Sequence, residues 1–316
     1  MKTILLHVGT HKTGSTSLQH TFHKYSSELR KIGIEYLGGD GAYPHLYSAF
    51  MKNPMAFEWN VLSRISETEI RARDKAVRTD LVAKIEASPC PTVIISSEYL
   101  SKLNLEEQSS LKVFLERHGR VIAIYYYRDL LSWMASDSQQ LAKVGMRQSP
   151  TQFSSAIERV YDMPLRVYEV FGKRNSRFIR FEDAIQKGIC NSFLETFDLP
   201  TLASQGYDEL RANESISANA VRAMYLYNSL FPLGSGTRQP KVADRLRALD
   251  GPKYELAGLT EEQIAEYARK RTHISEVLGL NLQHQSELRV SDSLDPMADE
   301  LLKMVDRFLR MKDKGS

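Results

Sequence analysis

Ile4-Leu5-Leu6-His7-Val8-Gly9-Thr10-His11-Lys12-Thr13-Gly14-Ser15-Thr16-Ser17-Leu18-Gln19-His20-Thr21-Phe22 reads as a strand, a tight loop and the start of a helix. An apolar run enters a turn rich in glycine and hydroxyl groups, and Leu18, Phe22, Tyr25, Leu29 and Ile32 follow at alternating spacings of four and three. That period puts one face of a helix in a core. The first turn of a helix carries N–H groups without intrahelical acceptors, and the macrodipole adds partial positive charge there. Gly9 and Gly14 allow the backbone to bend and to approach a ligand, Ser15, Thr16 and Ser17 add hydroxyls, and Lys12 adds a full charge. The chemistry points to a phosphate or sulfate.

Gly9 and Gly14 have the glycine spacing of the nucleotide-binding loop G-x-x-x-x-G-K-[ST], but Ser15 stands where its lysine belongs. Lys12 lies two residues before the second glycine instead. The order Lys12-Thr13-Gly14-Ser15-Thr16 resembles the 5′-phosphosulfate loop of the sulfotransferases that use 3′-phosphoadenosine 5′-phosphosulfate (PAPS).

A second segment carries the same resemblance. Val121-Ile122-Ala123-Ile124-Tyr125-Tyr126-Tyr127 is a nearly continuous apolar and aromatic run, which suits a parallel strand buried on both faces. Arg128 follows at its end, and Ser136 lies eight residues further on, in the next helix. This resembles the family's 3′-phosphate-binding segment, in which an arginine fork and a hydroxyl hold the phosphate from two sides. The likeness extends loosely over residues 1–235 and includes Phe181-Glu182-Asp183 as an acidic turn. The family's basic, glycine-containing C-terminal loop has one counterpart here, Gly234-Ser235-Gly236-Thr237-Arg238 with Lys241.

The wider pattern alternates strands and helices, as an α/β protein with a parallel sheet does. Strands are expected at Ile34–Leu37, Thr92–Glu98 and Arg177–Glu182. Helices are expected after the capping boxes Ser66/Glu69 and Asn104/Glu107, through about Lys143, around Phe153–Tyr161 and Leu165–Phe171, and over Ile189–Phe197, Ala218–Phe231, Thr260–Leu278 and Pro296–Met311. Residues 38–64 and 233–258 read as irregular. The resemblance implies a P-loop-like three-layer sandwich as a single domain over 1–316, with the donor site in a core of 1–235. Residues 236–316 would then be a loop and a helical C-terminal extension.

The 316 residues are 42% hydrophobic and 26% charged with net charge +3, which is ordinary for a globular chain and too mild to argue for nucleic acid. Cys90 and Cys190 fit neither a metal pattern nor a disulfide framework. The N-terminal apolar run is too short for a secretory signal, and no run approaches a membrane span. The expectation is a cytoplasmic, non-membrane-spanning enzyme acting on a small-molecule or glycan acceptor.

In the chemistry that the resemblance implies, His11, Lys12, Thr13, Gly14, Ser15, Thr16, Ser17, Arg128 and Ser136 bind PAPS, and adenosine 3′,5′-bisphosphate (PAP) is the product. Lys12 and the helix terminus stabilise the departing phosphate, so no metal is required. Glu98, at a strand end, is the first choice of general base, and His45 in the aromatic 38–64 segment is the second. An Mg-ATP-dependent kinase and a non-catalytic nucleotide-binding protein remain as alternatives.

Overall fold

The computed structural model describes residues 1–147, 153–212, 215–256 and 259–282. Runs of β-branched, leucine and aromatic residues form five strands: β1 (Lys2–Gly9), β2 (Ile34–Tyr36), β3 (Thr92–Ser96), β4 (Gly119–Tyr127) and β5 (Ser176–Arg180). All pair in parallel in the order β2-β3-β1-β4-β5, so the strand that precedes the glycine-rich loop lies at the centre. Both faces of the sheet are covered. Ile4, Leu6 and Val8 of β1 share one core with Leu81, Ile85, Leu111, Leu115 and Val167. Leu5 shares the other with Leu18, Phe22, Leu29, Phe193 and Leu194. Alternate residues of one strand thus feed two cores, and each fully buried leucine or phenylalanine contributes about 1.5–3 kcal/mol. The result is an α/β protein with three layers.

The helices are α1 (Ser15–Lys24), α2 (Ser26–Lys31), α3 (Pro44–Ser48), α4 (Glu58–Ser63), α5 (Glu67–Ala87), α6 (Leu105–Glu116), α7 (Leu130–Lys143), α8 (Phe153–Ile157), α9 (Met163–Phe171), α10 (Phe181–Lys187), α11 (Ile189–Glu195), α12 (Ala218–Leu230), α13 (Pro240–Arg247) and α14 (Glu261–Leu278). Both expected capping boxes are present: Ser66 and Glu69 exchange bonds ahead of α5, and Asn104 and Glu107 do so ahead of α6.

Several local expectations differ from the structure. The stripe from Leu18 to Ile32 is divided at Tyr25, which leaves the helical conformation (φ −101°, ψ 26°) and starts α2. Residues 38–64 hold α3, a 3₁₀ turn at Pro54–Ala56 and α4, each too short to show a period. Polar bonds fix them to α5: Ser48 Oγ donates to Asp74 Oδ2 at 2.7 Å, and Asn60 Nδ2 donates to Ser48 Oγ at 2.8 Å. The acidic turn at Phe181–Asp183 is the first turn of α10, and the strand ahead of it stops at Arg180. The loop-rich 233–258 stretch contains α13, which opens on Pro240. A π-helical turn, Glu158–Asp162, joins α8 to α9. The helix expected at Pro296–Met311 lies outside the described residues.

The described residues form two compact units. The first contains 1–128, 157–212 and 270–282, and therefore the sheet and both of its cores. The second contains the described parts of 129–156 and 214–269. Its own core joins Ala142, Val221, Met224, Tyr225, Tyr227 and Ala243. There Asn228, fully buried, donates to the carbonyls of Ala142 (2.9 Å) and Met146 (2.8 Å) and accepts from Arg238. The boundary expected at residue 235 falls inside this unit. Among the described residues no helix is long and apolar enough to cross a membrane.

Candidate active site

The helices that follow β1 and β3 pack on opposite faces of the sheet, α1 in one core and α6 in the other. Neighbouring strands with that divergence leave a crevice at their carboxyl ends. Residues 9–17 leave β1 there, and Glu98 lies two residues past the end of β3.

The loop is built by its glycines and hydroxyls. Gly9 has φ +115°, and a Cβ on it would stand 2.7 Å from the Glu98 carbonyl oxygen. Only glycine lets the two strand ends come this close. Lys12 adopts a left-handed backbone conformation (φ +68°). Gly14 does so at the N-cap of α1, where a Cβ would meet Ile189 Cγ1 at 2.9 Å. Gly14 has no side chain to cap the first turn of α1, so those N–H groups are not satisfied in the usual side-chain way. Thr13 Oγ1 and Ser15 Oγ both donate to the Thr10 carbonyl, and both side chains are buried. Ser17 Oγ accepts from the Ala212 N–H at 3.0 Å. Thr16 is half-buried in the first turn. Thr13 and Ser15 thus hold the loop's shape, and Ser17 holds its contact with Ala212.

Glu98 is mostly enclosed, its side chain 17% exposed, and burial pushes its carboxyl upward. Lys12, the neighbouring Ser15 hydroxyl, Lys102 and Arg159 act in the opposite direction. His11 Nε2 stands 3.6 Å from Glu98 Oε1. Burial first, then Lys102, Arg159 and Lys12, push that imidazole down to about 2, so at neutral pH it is an uncharged neighbour rather than an ion-pair partner. His7, two residues before Gly9, is fully buried and faces the α1 layer. Its Nδ1 shares a 2.8 Å hydrogen bond with Ser96 Oγ, which also accepts from Gln19 Nε2. It is a packing residue.

Arg128 ends the first unit just past β4. Its guanidinium donates to the Lys12 carbonyl and lies over the Phe181 ring, 4.6 Å from the centroid. Lys12, Arg128, His11 and Glu98 are therefore brought to one strand-end cluster. Of the other expected residues in this unit, His45 is not among them. His45 lies in α3, where burial, ahead of Arg73, lowers its pKa, and its charged neighbours are Arg73 and Asp74 of α5. Ser136 belongs to the second unit, half-buried on α7. The Gly234–Arg238 stretch is also in the second unit, where Arg238 binds Asn228 Oδ1 at 2.8 Å and lies over Tyr227.

The sequence reading missed part of the cluster. Lys102 has its ammonium 4.9 Å from the Tyr99 ring centroid. Tyr99 meets the edge of His11 (4.8 Å between centroids), and its hydroxyl accepts from the Trp59 indole at 3.0 Å. Arg159 reaches the same neighbourhood from the π-helical turn, and no motif marks it. A hollow of about 450 Å³ lined by Phe50, Arg78, Phe114 and Arg117 contains none of these groups.

No family model and no curated protein matches the chain. Among solved structures it is similar to a sulfotransferase domain from the curacin biosynthetic pathway, at 16% identity with a TM-score of 0.39, over 87% of this chain and 98% of that one. A likeness at that level transfers no chemistry.

Proposed function

We propose that the chain is a sulfotransferase that moves a sulfuryl group from PAPS to a hydroxyl or amine of a small-molecule or glycan acceptor. The observation that carries the reading is the meeting of Lys12, Arg128 and Glu98 around one glycine bend at the carboxyl ends of β1, β3 and β4. The residues present fit such a donor. Gly9 and Gly14 keep the loop free of side chains where the backbone must come close, the uncapped start of α1 offers N–H donors, and two cations stand beside them. Ser15, where a kinase loop would have its lysine, is buried with its hydroxyl bonded inside the loop.

When bound, PAPS supplies the sulfuryl group, with PAP as the leaving group. Glu98 takes the proton from the acceptor hydroxyl as its oxygen bonds to sulfur. Lys12 and the first-turn N–H groups neutralise the charge that grows on the 5′-phosphate oxygen as its bond to sulfur breaks. Arg128 holds the 3′-phosphate with its guanidinium and keeps the Lys12 backbone in place through its bond to that carbonyl.

The test is turnover of radiolabelled donor against a panel of glycan, phenolic and amine acceptors without ATP, beside a parallel assay with radiolabelled Mg-ATP in place of that donor. Lys12→Ala should lose about 10²–10³-fold in kcat with its thermal unfolding unchanged. Wild-type turnover in that variant, or phosphoryl transfer from Mg-ATP in place of sulfuryl transfer, would remove the proposal.

A further inference from the structure

We infer, resting on the sulfotransferase reading, that the acceptor carries an anionic group beside the hydroxyl it presents, and that Lys102 and Arg159 hold that group. The anion is a carboxylate or a sulfate ester. Lys102 closes the 3₁₀ turn Leu100–Lys102, four residues past Glu98, and is half-buried with its ammonium over Tyr99. Arg159 sits on the π-helical turn Glu158–Asp162, a kind of irregularity often found where a helix serves a site.

The two turns are fastened together. Arg166 of α9 donates to the Leu103 carbonyl at 3.1 Å and lies 3.7 Å from Glu158, which ties the segment bearing Lys102 to the segment bearing Arg159. Tyr125 of β4 donates to the Arg159 carbonyl at 2.6 Å and anchors that turn to the sheet.

Two cations held near each other in a half-buried place carry a cost. Burial and then Arg159 push the Lys102 ammonium downward, although Glu58, Glu98 and Glu158 act the other way. An anion bound between them relieves that repulsion. The donor does not call on either group, since Lys12 and Arg128 account for its two ends. A ring surface adjoins the pair. The Trp59 indole, 49% exposed, is held by its bond to the Tyr99 hydroxyl, and Tyr99 carries Lys102 on its face and directly follows Glu98. The arrangement suits an acidic ring alcohol, with its ring against Trp59, its anion at Lys102 and Arg159 and its hydroxyl at Glu98.

The test uses the full chain saturated with PAP, saturation being verified by calorimetry, and two matched pairs of probes. Glucuronic acid is compared with its methyl ester, and glucose 6-sulfate with glucose. In at least one pair the anion should bind at least about tenfold more tightly than its neutral partner. Which pair responds tells a carboxylate from a sulfate ester. Lys102→Gln and Arg159→Gln should each bring that ratio near unity while PAP affinity stays unchanged, which also shows that the variants are folded. Equal binding within both pairs, binding of no probe, or an anion preference that survives in both variants overturns the inference. Failure of PAP to bind the wild-type chain is a separate result, and it removes the donor reading together with what rests on it.

Discussion

Glu98 is a carboxylate that burial lifts above its ordinary value of 4.5 while Lys12, Ser15, Lys102 and Arg159 restrain the rise. A base must be ionised to accept a proton, so activity should fall as pH drops through the raised pKa. The acid limb of kcat/KM is then expected above 4.5. Glu98→Gln should abolish that limb and leave about 10²–10⁴-fold less activity. An unchanged limb in the variant would assign the base elsewhere. His7 makes a different prediction, about stability. Burial pushes it down to about 3 from 6.5, so between those values the unfolded chain binds more protons than the folded one. Its stabilising contribution is complete above 6.5 and is lost as pH falls toward 3, at up to about 1.4 kcal/mol per pH unit. His11, pushed to about 2, adds a parallel loss. His7→Gln should flatten the fall of the urea midpoint between pH 7 and pH 4, and an equally steep fall would show that His7 does not carry it. Lys12 and Arg128 were legible because each stands at a strand end in a recognisable order. Lys102 and Arg159 were not, because a lysine on a 3₁₀ turn and an arginine on a π turn meet only after β3, α9 and the intervening segments have packed.

Between β1 and α1 the chain relies on backbone conformations that ordinary residues resist. Gly9→Ala combines φ +115° with a Cβ 2.7 Å from the Glu98 carbonyl oxygen. It should destabilise the fold by at least about 2 kcal/mol, read from the denaturant midpoint, and should also displace Glu98, the proposed base. Gly39→Ala is the control, since a Cβ there meets nothing within 4 Å, and it should leave the midpoint unchanged. Equal effects from the two substitutions would contradict the close-approach argument. Long elements with strong periodic patterns or caps, such as α5, α6 and β4, could be read directly from residue order. The short pieces could not. α3 and α4 are fixed by the Ser48, Asn60 and Asp74 side chains rather than by their own pattern. α10 was concealed because the strand before it also ends in aromatic and charged residues.

For the whole molecule, alternation of strands and helices was enough to foretell a parallel sheet, but not the order β2-β3-β1-β4-β5. Order is decided by which strands pair across long separations, and no local spacing encodes it. That order places β1 at the centre with β3 and β4 on either side, which is why three separated stretches deliver Lys12, Glu98 and Arg128 to one edge. The second unit was equally hard to foresee, because its core draws on Ala142 and on helices some eighty residues later in the chain. The central claim is that Lys12 and Arg128 grip one adenylate at its two charged ends. The most direct measurement is calorimetric titration of PAP, without magnesium, into the wild-type chain, Lys12→Ala and Arg128→Ala. The account predicts saturable binding to the wild type, weakened by about tenfold or more in each variant. Equal affinity in all three proteins, or no binding of PAP beside tight binding of Mg-ATP, would contradict it.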